Sequence, residues 1–498
     1  MNNSNRRHAP PKAGAMIEAL RGLGYTTASA LADIIDNSIA ARASRVDINF
    51  VWQEEQSRIE IQDNGTGMDA ACLDKAMRLG ELNPLDEREE SDLGRFGMGL
   101  KTASFSQCRS LTVATTQNNQ FSCLRWDLDV LVESSGDGWF MLEGPSDTGL
   151  PLVEPVKNID HGTLVLWEKL DRIFTDGFNS NDFLDLLDQV ERHLAMVFHR
   201  YLEDKGQRFE IYINGNRVKP WDPFMTGHPA KSWNSPLASQ ATQGGTVDVE
   251  CHVLPHKDRL TDKEFESAGG PDGWTAQQGF YVYRNRRLLL AGSWLGLGRG
   301  RSWTKEEAHR LARIRLDIPN TVDSDWKIDI RKATARPPVN MRKWLMRLAE
   351  DTRARARKTF ASRGRPARTG HGQTVVQAWR ADQTSGGVRY RVDDAHPAVR
   401  AVLDDAGSLL PQIKAMLRIL EETIPVQPIW LDTAENKETP RTGFDGEAPS
   451  EVVEVLTVMY QNLTRKKGFS AEAAKSKLLQ TEPFHDYPQL VTSLIESA

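Results

Sequence analysis

Two short stretches near the start of the chain carry polar side chains at spacings that suit a ligand site. Asp33 and Asn37 lie in LADIIDNSIAARA, so on a helix they project from one face, one turn apart. Asp63 follows the strand-like RIEIQ and precedes Gly65 and Gly67; glycine there lets backbone approach a ligand closely. The Asp63 carboxylate could accept a hydrogen bond from the exocyclic amine of adenine. A solvated helix face and a plain turn are the alternatives, and the acid spacing does not fit an EF-hand.

A third stretch, LGRFGMGLKTASFS, places Gly94, Gly97 and Gly99 before a helical sequence that carries Lys101. Inward-pointing amides and a helix N-terminus favour phosphate, and Lys101 adds a positive charge. A flexible surface loop is the alternative. A dinucleotide-binding fold does not fit, because it needs a strand with an acidic residue about 20 residues on.

In this order and spacing, the three stretches resemble the ATP-binding boxes of the gyrase, Hsp90, histidine kinase and MutL (GHKL) ATPase superfamily. The fourth box of that superfamily corresponds to HGTLVLWEKL. The matching residues are the N box (Asp33, Asn37), the DxGxG box (Asp63, Gly65, Gly67), the lid box (Gly97, Gly99, Lys101) and the GT box (Gly162, Thr163).

The resemblance implies an α/β (α+β) Bergerat fold, in which helices lie on a mixed, mainly antiparallel sheet and ATP binds between the two layers. It assigns magnesium to Asn37, adenine to Asp63, and support of Asp63 and the base to Thr163. A lid from about Leu79 to Gly99 would close over the phosphates. The expected nucleotide contacts are Asn37, Asp63, Gly65, Gly67, Met68, Gly94, Gly97, Met98, Gly99, Leu100, Lys101 and Thr163.

Asp33 departs from the hydrolytic members, which have glutamate at this position to activate water. Its carboxylate is one methylene shorter, and a displacement of about 1 Å can cost roughly 100-fold in rate. The sequence therefore predicts a slow ATPase with Asp33 as general base. A histidine kinase is set aside because no phosphoacceptor histidine helix is recognisable.

The next region resembles the transducer domain of the microrchidia (MORC) ATPases in GFYVYRNRRLLLAG and DIPNTVDSDWKIDIRKA. In that family a lysine of the second stretch reaches the γ-phosphate, which makes Lys327 the candidate and Lys332 the reserve; a solvated loop is the alternative. The chain resembles compact bacterial MORC-like proteins, whose family context implies a restriction or phage-defence role.

Composition and periodicity divide the chain into four regions, and the resemblance implies the identity of the first two. They are an ATP-binding domain (1–175), a transducer-like α/β domain (176–357), an Arg, Gly and Pro-rich linker (358–375) and a helix-rich C-terminal region (376–498). In the second domain, Asn181 or Asp182 can cap a helix that reaches Leu202, and FEIYINGNRVKP reads as a strand.

The net charge of −5 argues against a general polyanion binder. A local basic segment from Arg342 to Arg368 could still line DNA phosphates, or could be a solvated helix and linker. The Leu-rich C-terminal helices suggest protein partners. The longest apolar runs fall short of the 18 residues of a membrane span, and the four cysteines are scattered, so we expect a cytoplasmic protein without a disulfide framework or zinc site.

These features favour an ATP-gated machine that binds ATP and Mg²⁺, forms a homodimer when ATP is bound, and resets on hydrolysis. The alternative is a non-enzymatic dimerisation switch that hydrolyses little ATP. A chaperone is the weakest of the three hypotheses, since it relies on superfamily membership alone.

Overall fold

The computed structural model describes residues 11–53, 56–81, 99–133, 139–206, 208–322, 325–328, 334–361, 375–384, 387–429 and 448–494. The chain divides into two compact units, Met1–Gly364 and Arg365–Ala498. The first unit contains two sheets with their helices, and the second contains a hairpin and a set of helices. The predicted mixed α/β class is confirmed.

The first sheet has eight strands in the order β5-β4-β3-β6-β2-β1-β7-β8. Its strands are β1 (Arg45–Val51), β2 (Arg58–Asp63), β3 (Ser110–Gln117), β4 (Gln120–Asp127), β5 (Leu142–Glu143), β6 (His161–Glu168), β7 (Glu210–Ile213) and β8 (Asn216–Arg217). Neighbouring strands pair antiparallel except β1 with β7, which are parallel. The sheet is therefore mixed and mainly antiparallel, as expected.

Strand β7 belongs to the first sheet, although it follows that region in the sequence. The sequence analysis grouped FEIYINGNRVKP with the second domain, but Arg45 to Ile48 of β1 pair with Glu210 to Ile213. The pairing buries Ile211 and Ile213 in the core of the first sheet. This long-range parallel pairing leaves no local signal in the sequence.

The first unit also contains eleven α-helices among its described residues. They are α1 (Ala13–Arg21), α2 (Thr27–Ala40), α3 (Ala70–Met77), α4 (Gly99–Phe105), α5 (Leu128–Glu133), α6 (Leu150–Lys157), α7 (Ser180–Val197), α8 (His199–Leu202), α9 (Asp262–Gly269), α10 (Gly273–Ala276) and α11 (Val339–Ala361). Helices α1, α2, α4 and α7 share a core with the first sheet, while α6 packs on β3 and β6 through a separate apolar cluster.

Helix α2 begins at Thr27 because Thr26 caps it, in a capping box with Ser29. Helix α7 begins at Ser180, so the predicted cap at Asn181 or Asp182 is wrong. Asn179 is the cap: its side chain accepts from the Asn181 amide, and the Asp182 carboxylate accepts from the Asn179 amide. The helix also ends earlier than predicted, at Val197, and α8 follows.

The second sheet has the order β10-β11-β14-β12-β13, with β9 also paired to β11. Its strands are β9 (Trp233–Asn234), β10 (Ala238–Thr242), β11 (Gly245–Val253), β12 (Gly279–Arg284), β13 (Arg287–Ser293) and β14 (Ala312–Ile318). Helix α11 covers this sheet with Met341, Leu345, Ala349 and Ala356, a helical spacing that forms one buried stripe. Helix α7 contacts both α2 and β13 and so links the layers of the first unit.

The second unit has a hairpin of Trp379–Thr384 and Gly387–Val392. Its helices are Pro397–Asp405, Leu410–Glu422, Ser450–Gln461, Ala471–Leu478 and Pro488–Thr492. A core of seven residues, including Leu456, Tyr460 and Phe484, holds the later helices together. Across the described parts of both units, none of the helices has the length and apolar character needed to cross a membrane.

Candidate functional site

Helix α2 presents Asp33 and Asn37 in different environments. Asp33 is 4% exposed, whereas Asn37, one turn further on, is exposed. The neighbours of Asn37, Asp36 and Ser38, are buried. The amide of Asn37 is thus open to a ligand, while the Asp33 carboxylate is held within the protein.

Asp63 ends β2 and receives two directed donors. The Ser38 hydroxyl donates to Oδ2 at 2.8 Å, and the Gly65 amide donates to Oδ1 at 2.9 Å. Burial raises the pKa of Asp63 above its ordinary value, although these hydrogen bonds and the Thr163 backbone oppose the shift. The result is a fixed carboxylate with lone pairs left for a further donor.

Thr163 lies directly opposite Asp63 because β2 pairs with β6 in that register. Thr115 on β3 lies on the other side of Thr163, and the two hydroxyl oxygens are 3.1 Å apart. The Thr115 hydroxyl also donates to the Gly162 carbonyl and accepts from the Met68 amide, both at 3.0 Å. Sequence reasoning missed Thr115. It can be identified only from the pairing of β3 with β6, the strand that carries the GT box.

The glycines of the DxGxG box are required by the protein's own packing. Gly67 has a φ of +68°, and a Cβ there would lie 1.9 Å from the Thr116 carbonyl oxygen. A Cβ on Gly65 would lie 2.8 Å from Ala41 Cβ. The loop is therefore pressed between β3 and the end of α2, which fixes Met68 and Asp63 relative to each other.

Of the lid box, Gly94, Gly97 and Met98 lie outside the described residues, as do 82–93, 95 and 96. Gly99 and the half-buried Leu100 begin α4, and a Cβ on Gly99 would lie 3.8 Å from Asp33 Oδ2. The lid-box helix and the N-box helix therefore meet at Asp33.

Lys101 is buried, and its ammonium donates to the Ala76 carbonyl oxygen at 2.8 Å. Burial lowers the pKa of Lys101 to about 8. The structure thus places this charge at the end of α3, and its reach toward a phosphate stays a prediction.

Asp33 itself is held from two sides. The Tyr25 hydroxyl donates to Oδ2 at 2.9 Å, and Arg287 Nη2 lies 3.5 Å from Oδ1. Burial and the Asp33 charge raise the pKa of Tyr25 far above its usual range, so the phenol stays a donor. Arg287 lies in GFYVYRNRRLLLAG, but nothing local in the sequence singles it out from Arg284 and Arg286 beside it.

Lys327 is exposed, has a φ of +49°, and lies between buried Trp326 and Ile328. It forms no hydrogen bond or ion pair with the residues that the structure describes. Lys332 lies outside them. The proposed contact of Lys327 with a γ-phosphate is untested by this geometry.

The basic segment is not a uniform charged surface. Arg353 is 11% exposed, and its guanidinium lies 4.7 Å from the ring centres of both Trp294 and Trp303. Arg355 lies over Trp233 at 4.4 Å and pairs with Asp351, and Arg357 is exposed. Arg363 and Arg365 lie outside the described residues.

Comparison with known proteins supports the interpretation of the boxes. Residues 25–163 match the family described as histidine kinase-, DNA gyrase B-, and HSP90-like ATPase, a span that contains every box from Asp33 to Thr163. The chain is also similar to ATPase MORC2B of Mus musculus, at 33% identity over 98 residues, which are 19% of this chain and 10% of that relative. The predicted resemblance to the GHKL and MORC ATPases is confirmed.

Proposed function

We propose that the chain is an ATPase that hydrolyses ATP slowly and uses ATP to close a homodimeric clamp. The match of residues 25–163 to the histidine kinase-, DNA gyrase B-, and HSP90-like ATPase family supports the ATP-binding part of this proposal. One observation carries this proposal: the DxGxG box and the lid box both contact the N-box helix α2. Asp63 receives donors from Ser38 of α2, and Asp33 of the same helix lies against Gly99.

In this proposal the Asp63 carboxylate accepts a hydrogen bond from the exocyclic amine of adenine. Thr163 and Thr115, on the neighbouring strands, hold Asp63 in place. Asn37 holds Mg²⁺, for which an exposed amide oxygen one turn from Asp33 is a suitable ligand. The ion would neutralise phosphate charge. The remaining nucleotide contacts are proposed at Gly65, Gly67, Met68, Gly94, Gly97, Met98, Gly99, Leu100, Lys101 and Thr163.

Asp33 acts as the general base. Water attacks the γ-phosphorus, the bond between that phosphorus and the bridging oxygen of ADP breaks, and the Asp33 carboxylate takes a proton from the water. Slow turnover follows from two features: the side chain is short, and its Oδ2 already accepts a hydrogen bond from the Tyr25 hydroxyl.

Lys327 is proposed to contact the γ-phosphate in the closed state, so that ATP and ADP favour different arrangements of the two sheets. The exposed position of Lys327 leaves its ammonium free to move. A clamp of this kind could hold DNA through exposed basic residues between Arg342 and Arg368, in a MORC-like restriction or phage-defence role in the cytoplasm.

The C-terminal region is proposed to bind other proteins. Helix Leu410–Glu422 leaves Met416, Ile419 and Leu420 more than half exposed, at 52%, 63% and 54%. Large apolar side chains grouped on one helix are typical of a surface that another chain covers.

The alternative is an ATP-dependent dimerisation switch with little hydrolysis. The short side chain of Asp33 favours this alternative, because a carboxylate one methylene shorter than glutamate reaches less far toward the attacking water. Turnover measured under saturating ATP separates the two functions.

The clamp is tested by the mass of the protein in solution by light scattering, without nucleotide, with ADP, and with a non-hydrolysable ATP analogue. We expect a dimer with the analogue alone. Lys327→Ala should reduce the dimer fraction, whereas Lys332→Ala should not. The same mass in all three conditions would contradict the clamp.

A further inference from the structure

Arg287 begins β13 of the second sheet, yet its side chain packs against α2 of the first layer. Its Nε lies 3.2 Å from Asp36 Oδ1 and its Nη2 lies 3.5 Å from Asp33 Oδ1. The exposed fractions are 4% for Arg287, 4% for Asp33 and 1% for Asp36. These three buried residues form one charged cluster. Buried charges persist in a fold when each has a partner, and this cluster supplies one guanidinium to two carboxylates.

A general base acts only when its carboxylate is aimed at the attacking water. Asp36 is buried one turn from Asp33 on the same helix, and the Arg287 guanidinium bridges the two carboxylates. Orientation comes from two sides, since Tyr25 holds Oδ2 at 2.9 Å and Arg287 faces Oδ1.

The other groups around Arg287 fix its position. Nη1 donates to the Leu288 carbonyl oxygen at 2.7 Å, and the guanidinium carbon lies 5.9 Å from the ring centre of Phe198. His193 on α7 is half-buried, and burial together with the charge of Arg287 lowers its pKa to about 4. His193 is therefore uncharged at neutral pH and does not compete for the carboxylates.

We propose that Arg287 is a positioning residue for Asp33, by which the second sheet holds the base of the first in its reactive state. This inference rests on the proposed ATPase function. Arg287 does not touch the nucleotide in this account; it acts through the Asp33 carboxylate. Hydrolysis then depends on correct docking of β13 against α2, whereas adenine recognition at Asp63 does not.

The test uses Arg287→Met in the full-length chain, a change that keeps most of the length of the side chain and removes its charge. We expect kcat for ATP hydrolysis to fall by about 10- to 100-fold, with KM for ATP changed by less than about threefold, as for a group that acts only on the reacting end. The matched control is Arg286→Met. Arg286 is the adjacent residue, pairs with Asp204 at 2.8 Å and lies 4.9 Å from the Tyr201 ring centre, so its loss should leave kcat within about twofold.

Two further variants separate positioning from a general loss of structure. In an Asp33→Asn background, Arg287→Met should cause no additional loss of kcat, because both changes act on one step. Arg287→Lys keeps the charge but lacks the planar fork that faces two carboxylates, so kcat should lie between wild type and Arg287→Met. If Arg287→Met does not fold, Arg287→Lys carries the test, alone and in the Asp33→Asn background.

An unchanged or raised kcat in Arg287→Met would overturn the positioning role. So would an equal loss in Arg286→Met, or a full additional loss in the Asp33→Asn background. Wild-type turnover in Asp33→Asn alone would overturn the base assignment itself, which distinguishes failure of the proposed function from failure of this inference.

Discussion

The two ends of the candidate site are built in different ways. At the Asp63 end, the partners lie on α2 and on neighbouring strands of one sheet, in the registers Asp63 with Thr163 and Thr163 with Thr115. At the Asp33 end, the partner Arg287 comes from another sheet, 254 residues away in sequence. In the proposed function, nucleotide recognition therefore depends on the register of one sheet, while the orientation of the base depends on how two sheets meet.

The largest expected effect separates the two ends directly. Asp33→Asn should lower kcat by about 100-fold or more, because the amide cannot accept the proton of the attacking water. ATP affinity, measured by calorimetry, should stay within about threefold, since the Asp63 end is unchanged.

Asp33→Glu is the companion variant. Its longer side chain has room toward Gly99, where even an added Cβ would lie 3.8 Å from Asp33 Oδ2, and turnover should be retained or raised. Wild-type turnover in Asp33→Asn would contradict the division of roles in which Asp33 acts in hydrolysis and Asp63 acts in nucleotide binding.

A smaller effect is expected from Thr115→Val, which tests the Asp63 end. The change removes the acceptor of the Met68 amide and the donor to the Gly162 carbonyl. The free energy of unfolding should fall by about 1–3 kcal/mol, the cost of leaving buried polar groups unpaired, and ATP affinity should fall with it.

Thr112→Val on the same strand is the matched control. The Thr112 hydroxyl is buried without a hydrogen-bond partner in the described part of the chain, so its removal should be neutral or stabilising. Chemical denaturation measures both variants, and equal losses would show that the Thr115 hydroxyl has no special part in the site.

The smallest effect concerns the basic segment from Arg342 to Arg368. If Arg355 and Arg357 contact DNA phosphates, changing both to Ser should flatten the salt dependence of duplex binding by about 0.9 per lost contact. Arg353→Ser should instead lower stability, because Arg353 lies between Trp294 and Trp303. A fluorescence anisotropy titration with an unaltered slope would place any DNA contact elsewhere.

The sequence predicted most of the first layer because its signals are local. Each of these signals spans only a few residues: the one-turn spacing of Asp33 and Asn37, the strand-like RIEIQ before Asp63, and Gly67 after it. The same approach failed at α7, where the four polar residues 179–182 lie side by side and only the geometry selects Asn179 as the cap.

What the sequence could not supply depends on contacts between distant segments. The parallel pairing of β7 with β1 and the approach of Arg287 to Asp33 and Asp36 involve no local pattern. Thr115 is an intermediate case, because it becomes identifiable once β3 is known to pair with β6.

The central claim is that Asp63 anchors ATP in a preformed site of the first sheet. Calorimetric titration of the full-length protein with ATP and Mg²⁺ tests it most directly, comparing wild type, Asp63→Asn and the matched Asp47→Asn on neighbouring β1, where Asp47 pairs with exposed Arg45. Asp63→Asn presents a donor where the adenine amine needs an acceptor, so we predict an affinity lower by about 100-fold, with Asp47→Asn unchanged. Wild-type affinity in Asp63→Asn would contradict the assignment of the nucleotide site.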